Sequence, residues 1–396
     1  MKKFTIASLL VMSMFLVCTD TKAQKITEVS SNWYERLSFG GYTQLRYNRL
    51  LETNDQLQCE QCDKSLGAGK GFFLRRARIR FAGNLSPRVY AYMQFDMATA
   101  FSGSIQHGVG LKDAYFDLAI NEDRSSRIRF GQSKIPYGFE NMQSSSNRLA
   151  LDRNDAINSA AKDERDLGVF YYYAPVKVRK TLSFLTKSGL KGSGDYGMFA
   201  FGLYNGQGAG RIEQNDNIHV ITRFTYPFVL PNEQIIEAGI QAYKGKYSIP
   251  LSEQNQNREN LFDDDRIAAS LIIYPQPFGF QSEYNIGRGP EFNSATMRTE
   301  TQNLQGGYAQ VMYRYVGDKH IFIPFVKYQY YDGGKKFETD ARSYLVKQTE
   351  IGVEWNWDRF ELVALYSIEE RRYEDGLKPV NHQTGNRLRL QAQFNY

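Results

Sequence analysis

The chain closes with Arg387-Leu388-Arg389-Leu390-Gln391-Ala392-Gln393-Phe394-Asn395-Tyr396, and the reading of this stretch decides the fold. Leu388, Leu390, Ala392, Phe394 and Tyr396 fall on one face of an extended chain. Arg387, Arg389, Gln391, Gln393 and Asn395 fall on the other. A period of two is the mark of a strand whose faces meet different surroundings.

The same pattern recurs upstream. Ala77, Ile79 and Phe81 alternate with Arg76, Arg78 and Arg80. Val89, Ala91, Met93, Phe95 and Met97 alternate with Tyr90, Tyr92, Gln94 and Asp96. Ala114, Phe116, Leu118 and Ile120 oppose Asp113, Tyr115 and Asp117, and Ile128 and Phe130 oppose Arg127 and Arg129. Thr349, Ile351, Val353 and Trp355 oppose Glu350, Gly352, Glu354 and Asn356. One arginine on a lipid-facing strand costs about 2–4 kcal/mol near the bilayer midplane. Turning three arginines of 76–80 outward would therefore cost roughly 6–12 kcal/mol. The apolar faces are expected to meet lipid, and the charged faces a water-filled lumen.

Composition agrees. The 396 residues are 42% hydrophobic, 14% aromatic and 23% charged, with mean hydropathy −0.51. Past residue 18 no apolar run approaches the ~20 residues of a spanning helix. The apolar content is too high for a disordered chain. The N-terminus, with Lys2 and Lys3, an apolar run from Phe4 to Val17 and a small Ala23, reads as a secretory signal over residues 1–23. Removing it takes Lys2, Lys3, Lys22 and Asp20 from a chain of net charge +6. What remains is mildly basic, too weakly so to indicate nucleic acid. Cys59 and Cys62 are the remaining cysteines, and Asp63 follows where a haem motif needs His. In an oxidising compartment they are expected to form a local disulfide, and no metal site is expected.

The spans predict an all-β, up-and-down antiparallel transmembrane barrel of sixteen strands over 37–396, preceded by a short lead at 24–36. The strands are expected near 38–49, 73–83, 88–98, 110–120, 126–137, 166–174, 196–205, 216–226, 234–245, 265–274, 279–287, 305–316, 320–331, 344–355, 360–370 and 386–396. Connections alternate long and short, as outer loops and periplasmic turns do. One breaks the rhythm: 175–195 should be short, yet it is long and holds a strand-like piece from Thr181 to Leu190. The third outer loop, 138–165, is charge-rich and is a candidate to narrow the lumen through Arg148, Arg153, Lys162 and Arg165.

A family is visible in several runs. They include Phe73-Leu74-Arg75-Arg76-Ala77-Arg78-Ile79, Leu111-Lys112-Asp113-Ala114-Tyr115, and Gly131-Gln132-Ser133-Lys134-Ile135-Pro136-Tyr137-Gly138. Arg165-Asp166-Leu167-Gly168-Val169, Tyr204-Asn205-Gly206-Gln207-Gly208, Glu283-Tyr284-Asn285 and Pro324-Phe325-Val326-Lys327-Tyr328 extend the match along the chain. Together they resemble the phosphate-selective porin O/P family. The resemblance implies a sixteen-stranded, homotrimeric porin of the Gram-negative outer membrane, passing phosphate or polyphosphate along basic side chains. The ending on Tyr396 resembles the last strand of outer-membrane proteins, which their assembly machinery recognises.

The registers place Arg46, Arg76, Arg78, Arg80, Arg127, Arg129, Arg223, Arg314, Lys327, Arg387 and Arg389 inward. Asp96, Asp113, Asp117, Glu237, Glu283, Glu350, Glu354 and Glu361 also face inward, leaving a modest basic excess. Closure of the last strand on the first sets Arg387 and Arg389 on one wall with Arg46 and Arg76–Arg80. Guanidinium forks suit phosphate oxygens. The alternatives are a general porin whose lumen charges pair with one another, a barrel enzyme, and a structural barrel. An enzyme would need a nucleophile beside a base. His219 faces inward without such partners, and the glycines of 206–210 precede no helix. No catalytic residue and no cofactor is expected.

Overall fold

The computed structural model describes residues 32–57, 70–98 and 107–396. The expected signal at 1–23, most of the lead, and Cys59 and Cys62 lie outside the described residues. A single antiparallel sheet closes on itself. Its first half runs through β1 (Leu37–Leu50), β2 (Phe72–Asn84), β3 (Val89–Asp96), β4 (Gly110–Ala119), β5 (Ser126–Lys134), β6 (Arg165–Tyr173), β7 (Phe199–Tyr204) and β8 (His219–Val229). The second runs through β9 (Ile235–Ser248), β10 (Leu261–Ile273), β11 (Phe278–Asn293), β12 (Arg298–Tyr313), β13 (Tyr315–Val316), β14 (His320–Gly334), β15 (Ser343–Trp357), β16 (Phe360–Glu374) and β17 (His382–Asn395). Arg314 interrupts one crossing into β12 and β13, which both pair with β14, so the barrel has sixteen crossings. Closure is the pairing of β17 with β1, from Tyr42 opposite Asn395 to Tyr47 opposite Leu390.

The outer face is apolar. Phe116, Leu118, Phe201, Val220, Phe224 and Ile240 are exposed, and buried lumen-facing residues alternate with them. Near the chain termini Phe39, Phe81, Trp357, Phe360 and Phe394 form an aromatic rim, the kind of girdle that marks a lipid boundary. Tyr396 joins it beside Phe39 and Phe394 and donates its hydroxyl to the Arg78 carbonyl at 3.0 Å. Among the described residues no helix is long and apolar enough to cross a membrane.

The strand-like reading of Thr181–Leu190 is corrected. Residues Val176–Lys187 form an α-helix, started at Pro175 and ended at Gly189, whose φ is +69°. Val178, Leu182 and Leu185 lie at helical spacing and are buried, a stripe that outweighs the local alternation.

Part of the lumen is occupied by the protein's own chain. Side chains that face it at mid-height are buried, including Arg46, Arg387, Arg389, Gln44 and Glu354. Two chain segments fill it, one from each end.

Candidate pore and its constriction

The loop after β5 folds inward. Gly138, at φ +81°, turns the chain into a short helix α1 (Phe139–Met142). Glu283 of β11 accepts the Phe139 and Glu140 amides at 2.5 and 2.8 Å, so a strand carboxylate anchors the start of that helix. Lys134 donates to the Met142 and Gln143 carbonyls at 2.9 and 2.5 Å. A second turn, α2 (Asp155–Asn158), is capped by Asn154, whose side chain accepts from Ile157. Gly306 of β12 lacks the Cβ that would press on Ala156, so the turn packs close to the wall. Glu140 pairs with Lys327 at 2.5 Å, and Asp155 pairs with Lys335 and Arg371 at 2.6 and 3.3 Å. The loop is thus clamped inside the barrel to β11, β12, β14 and β16.

Asp152 of this loop reaches the opposite wall. It accepts from Arg46 at 3.0 Å and from Arg389 at 2.6 Å, and lies 3.6 Å from Arg75. Burial alone would raise this carboxyl. The charges of Arg46, Arg389 and Arg75 outweigh it and hold the group well below the usual carboxylate range. Glu350 adds a more distant contact to Arg389 at 3.9 Å. Two further guanidiniums join without an ion-pair partner among the described residues. Arg76 donates to Gln44 at 2.9 Å and Arg148 to the Leu151 carbonyl at 3.3 Å. Nε of Arg76, and Nε and Nη1 of Arg148, are buried with no hydrogen-bond partner. The charges of Arg75, Arg78 and Arg148 all bear on Arg76. Five cations therefore gather about Asp152, where the loop meets β17, β1 and β2.

Arg75 is the member that alternation misses, because a strict period of two points it at lipid. The pairing of β1 with β2 slips between Gln44 and Leu45, opposite Arg76 and Leu74. Such a bulge inserts one residue and re-aims its neighbours. Arg75 and Arg76 are both buried on the lumen side as a result.

Most other predicted cations are paired. Arg78 bonds Asp96 at 2.9 Å and the Tyr42 hydroxyl at 3.0 Å. Arg129 grips Asp117 at 2.7 and 3.0 Å, and Arg127 lies 3.4 Å from Asp117 and 3.1 Å from Asp195. Arg165 grips Asp113 at 2.9 and 3.0 Å. Arg153 meets Glu164 at 2.7 Å. Burial would raise Glu164, but Arg153 and Arg165 hold it at about 2. Arg223 bonds Glu237 at 3.2 Å. Glu369 joins Arg387 at 3.0 Å to Arg371 at 2.9 Å. Gln393 donates to Glu361 at 3.4 Å. Among the described residues the Arg314 side chain bonds the Ser188 carbonyl alone, at 3.5 Å. Arg80 is exposed and has no hydrogen bond or ion pair among the described residues. The Lys162 side chain lies outside the described residues.

The second filling comes from the end of the barrel that carries the termini. Helix α3 (Val176–Lys187) and the chain after it fold under the lumen. Phe139, Val178, Leu182, Leu185, Leu190, Ile235, Ile272 and Tyr274 form an apolar cluster there. Lys191 then crosses to Glu354 at 2.5 Å, and its carbonyl accepts from Gln143 at 2.5 Å. Asn147 donates to the Gly192 carbonyl at 2.7 Å. The two inserted segments are therefore joined. What they leave open is a cavity of about 650 Å³ against β1 to β6.

The match to known families covers residues 53–396 and carries the description phosphate-selective porin O and P. The chain belongs to that family. Among curated proteins no relative matches it. Solved porins share the barrel of this porin at low identity. The outer-membrane channel DcaP of Acinetobacter baumannii is 12% identical with a TM-score of 0.53, over 91% of this chain and 97% of that one. OmpF of Salmonella typhi is 12% identical with a TM-score of 0.55, over 92% and 99%. An anion-selective porin from Comamonas acidovorans is 11% identical with a TM-score of 0.50, over 91% and 99%. Family and barrel together point to an outer-membrane porin channel rather than an enzyme.

Proposed function

We propose that this porin is an anion-preferring diffusion channel whose solutes include phosphate. The observation that carries the reading is the cluster of Arg46, Arg75, Arg76, Arg148 and Arg389 about Asp152, with Glu350 at its edge. Two of these cations, Arg76 and Arg148, have no ion-pair partner among the described residues and carry buried nitrogens without a hydrogen-bond partner. Screening acts over only ~8 Å at physiological salt, so charge governs selectivity when it stands at a narrow point. The termini face the periplasm and the long loops the exterior, with outer-membrane lipid around the barrel. The last strand, ending on Tyr396, addresses it to the barrel assembly machinery, and three copies associate. A trimer form is recorded for the OmpT barrel of Vibrio cholerae, which shares the fold.

A general porin with mutually paired lumen charges is the second reading, favoured by the pairs Arg78–Asp96, Arg129–Asp117 and Arg165–Asp113. Reversal potentials across planar bilayers in a potassium chloride gradient separate the two. Chloride permeability well above that of potassium, with chloride current blocked by added phosphate, is expected. Equal permeabilities without block would leave the general porin.

A further inference from the structure

The cavity beside β1 to β6 has a chemistry of its own. Arg129 lies over the Tyr115 ring at 3.7 Å. Tyr115 stacks on Tyr92 with centroids 5.1 Å apart and planes 13° from parallel. Gln94 donates to the Tyr92 hydroxyl at 3.1 Å, fixing that ring from its edge. Among the described residues no other ring covers Tyr92. Arg80 stands on the neighbouring strand directly opposite Gln94 in register, one diagonal step from Tyr92 on the same face. Of the guanidiniums lining the cavity, Arg80 and Arg88 are exposed without a side-chain partner among the described residues, and Arg80 is the one beside Tyr92, while Arg78, Arg127, Arg129 and Arg165 are each held by a carboxylate. The hydroxyl-bearing rings of Tyr90 and Tyr196 complete the wall.

A stack of a cation and two rings, ending beside one unengaged guanidinium, is poorly matched to inorganic phosphate. One guanidinium offers one fork, and the aromatic surface contributes nothing to a small, strongly hydrated ion. The surface suits the apolar face of a ring, and the fork suits one acidic group on it. The cavity volume of about 650 Å³ lies within the range of small-molecule sites. We infer that this cavity is a binding site for acidic sugars, a pyranose carrying one carboxylate or phosphate, stacked on Tyr92 with its acidic group on Arg80. The inference rests on the channel reading, because the cavity is the mouth from which solute leaves or enters the constriction.

Two measurements keep the inferences apart. Equilibrium dialysis of detergent-solubilised protein reads binding with no need of conduction, using glucuronate, glucose 6-phosphate, glucose, acetate and inorganic phosphate. Glucuronate and glucose 6-phosphate should bind about tenfold tighter than glucose, acetate or phosphate. Tyr92→Ala and Arg80→Gln should each weaken the acidic sugars about tenfold, and Arg80→Lys should restore part of the loss. Heat-resistant migration of each variant on gels confirms a folded barrel. Acetate or phosphate binding as tightly as glucuronate, or Tyr92→Ala leaving glucuronate unchanged, would overturn the site. Folded protein that binds glucuronate but passes no current in bilayers would contradict the channel and leave the site standing.

Discussion

The two sides of the barrel interior are built from the same alternating strands and are filled in opposite ways. Against β8 to β11, the inserted segments bury an apolar cluster around Leu182, Leu185, Ile235 and Ile272. Against β17, β1 and β2, the loop after β5 meets a dense group of guanidiniums about Asp152. The first side resembles the core of a soluble protein, and its contacts hold by excluding water. The second holds by ion pairing, with Arg76 and Arg148 beside the pairs and without an ion-pair partner of their own among the described residues. The difference shows how one barrel can hold inserted chain by apolar packing on one side and by charge pairing on the other.

The largest effect is expected on the charged side. Asp152→Asn removes the carboxylate shared by Arg46, Arg75 and Arg389 and leaves buried cations facing one another. Breaking a buried pair from one partner costs about 3–5 kcal/mol. Unfolding in denaturant, followed by loss of heat-resistant gel migration, should show a large loss of stability. An unchanged midpoint would mean that water already neutralises the cluster. On the apolar side Leu185→Ala should cost about 2–4 kcal/mol by leaving a cavity. It should also raise single-channel conductance, because α3 seats the segment that crosses to Glu354. Full stability with wild-type conductance would show that α3 is not what fills the lumen.

The pH response follows from Asp152 and Glu164, both held below the ordinary carboxylate range by neighbouring arginines. A depressed folded-state value stabilises the fold fully above the unfolded value of about 4. That contribution is lost as pH falls through the folded value, which for Glu164 is about 2. The contribution of these two groups should therefore be level from pH 7 to 5 and decline below about 4. A steep loss between pH 7 and 5 would require another titrating group.

Much of the barrel was legible in the chain because a lipid boundary imposes a strict period of two. The C-terminal stretch and the runs at 76–80 and 349–356 gave strand, face and closure without any tertiary information. Two local exceptions were hidden. Arg75 turns inward through a bulge that depends on the register with β1, which residues 73–79 do not encode. At Thr181–Leu190 the alternating Leu and Phe concealed a stripe at helical spacing whose partners, Ile235 and Ile272, lie far along the chain. The site was partly legible. Arg46, Arg76, Arg148 and Arg389 were candidates, but their convergence depends on where the loop descends, and that is set by Glu283, Lys327 and Arg371 on distant strands.

The most direct test of the central claim is the zero-current potential of the Arg76→Gln, Arg148→Gln double variant in a potassium chloride gradient, compared with wild type. Both substitutions remove cations that lack an ion-pair partner among the described residues, so stability should hold or rise while the anion preference falls toward zero. An unchanged reversal potential from a folded, conducting double variant would contradict the assignment of selectivity to this cluster.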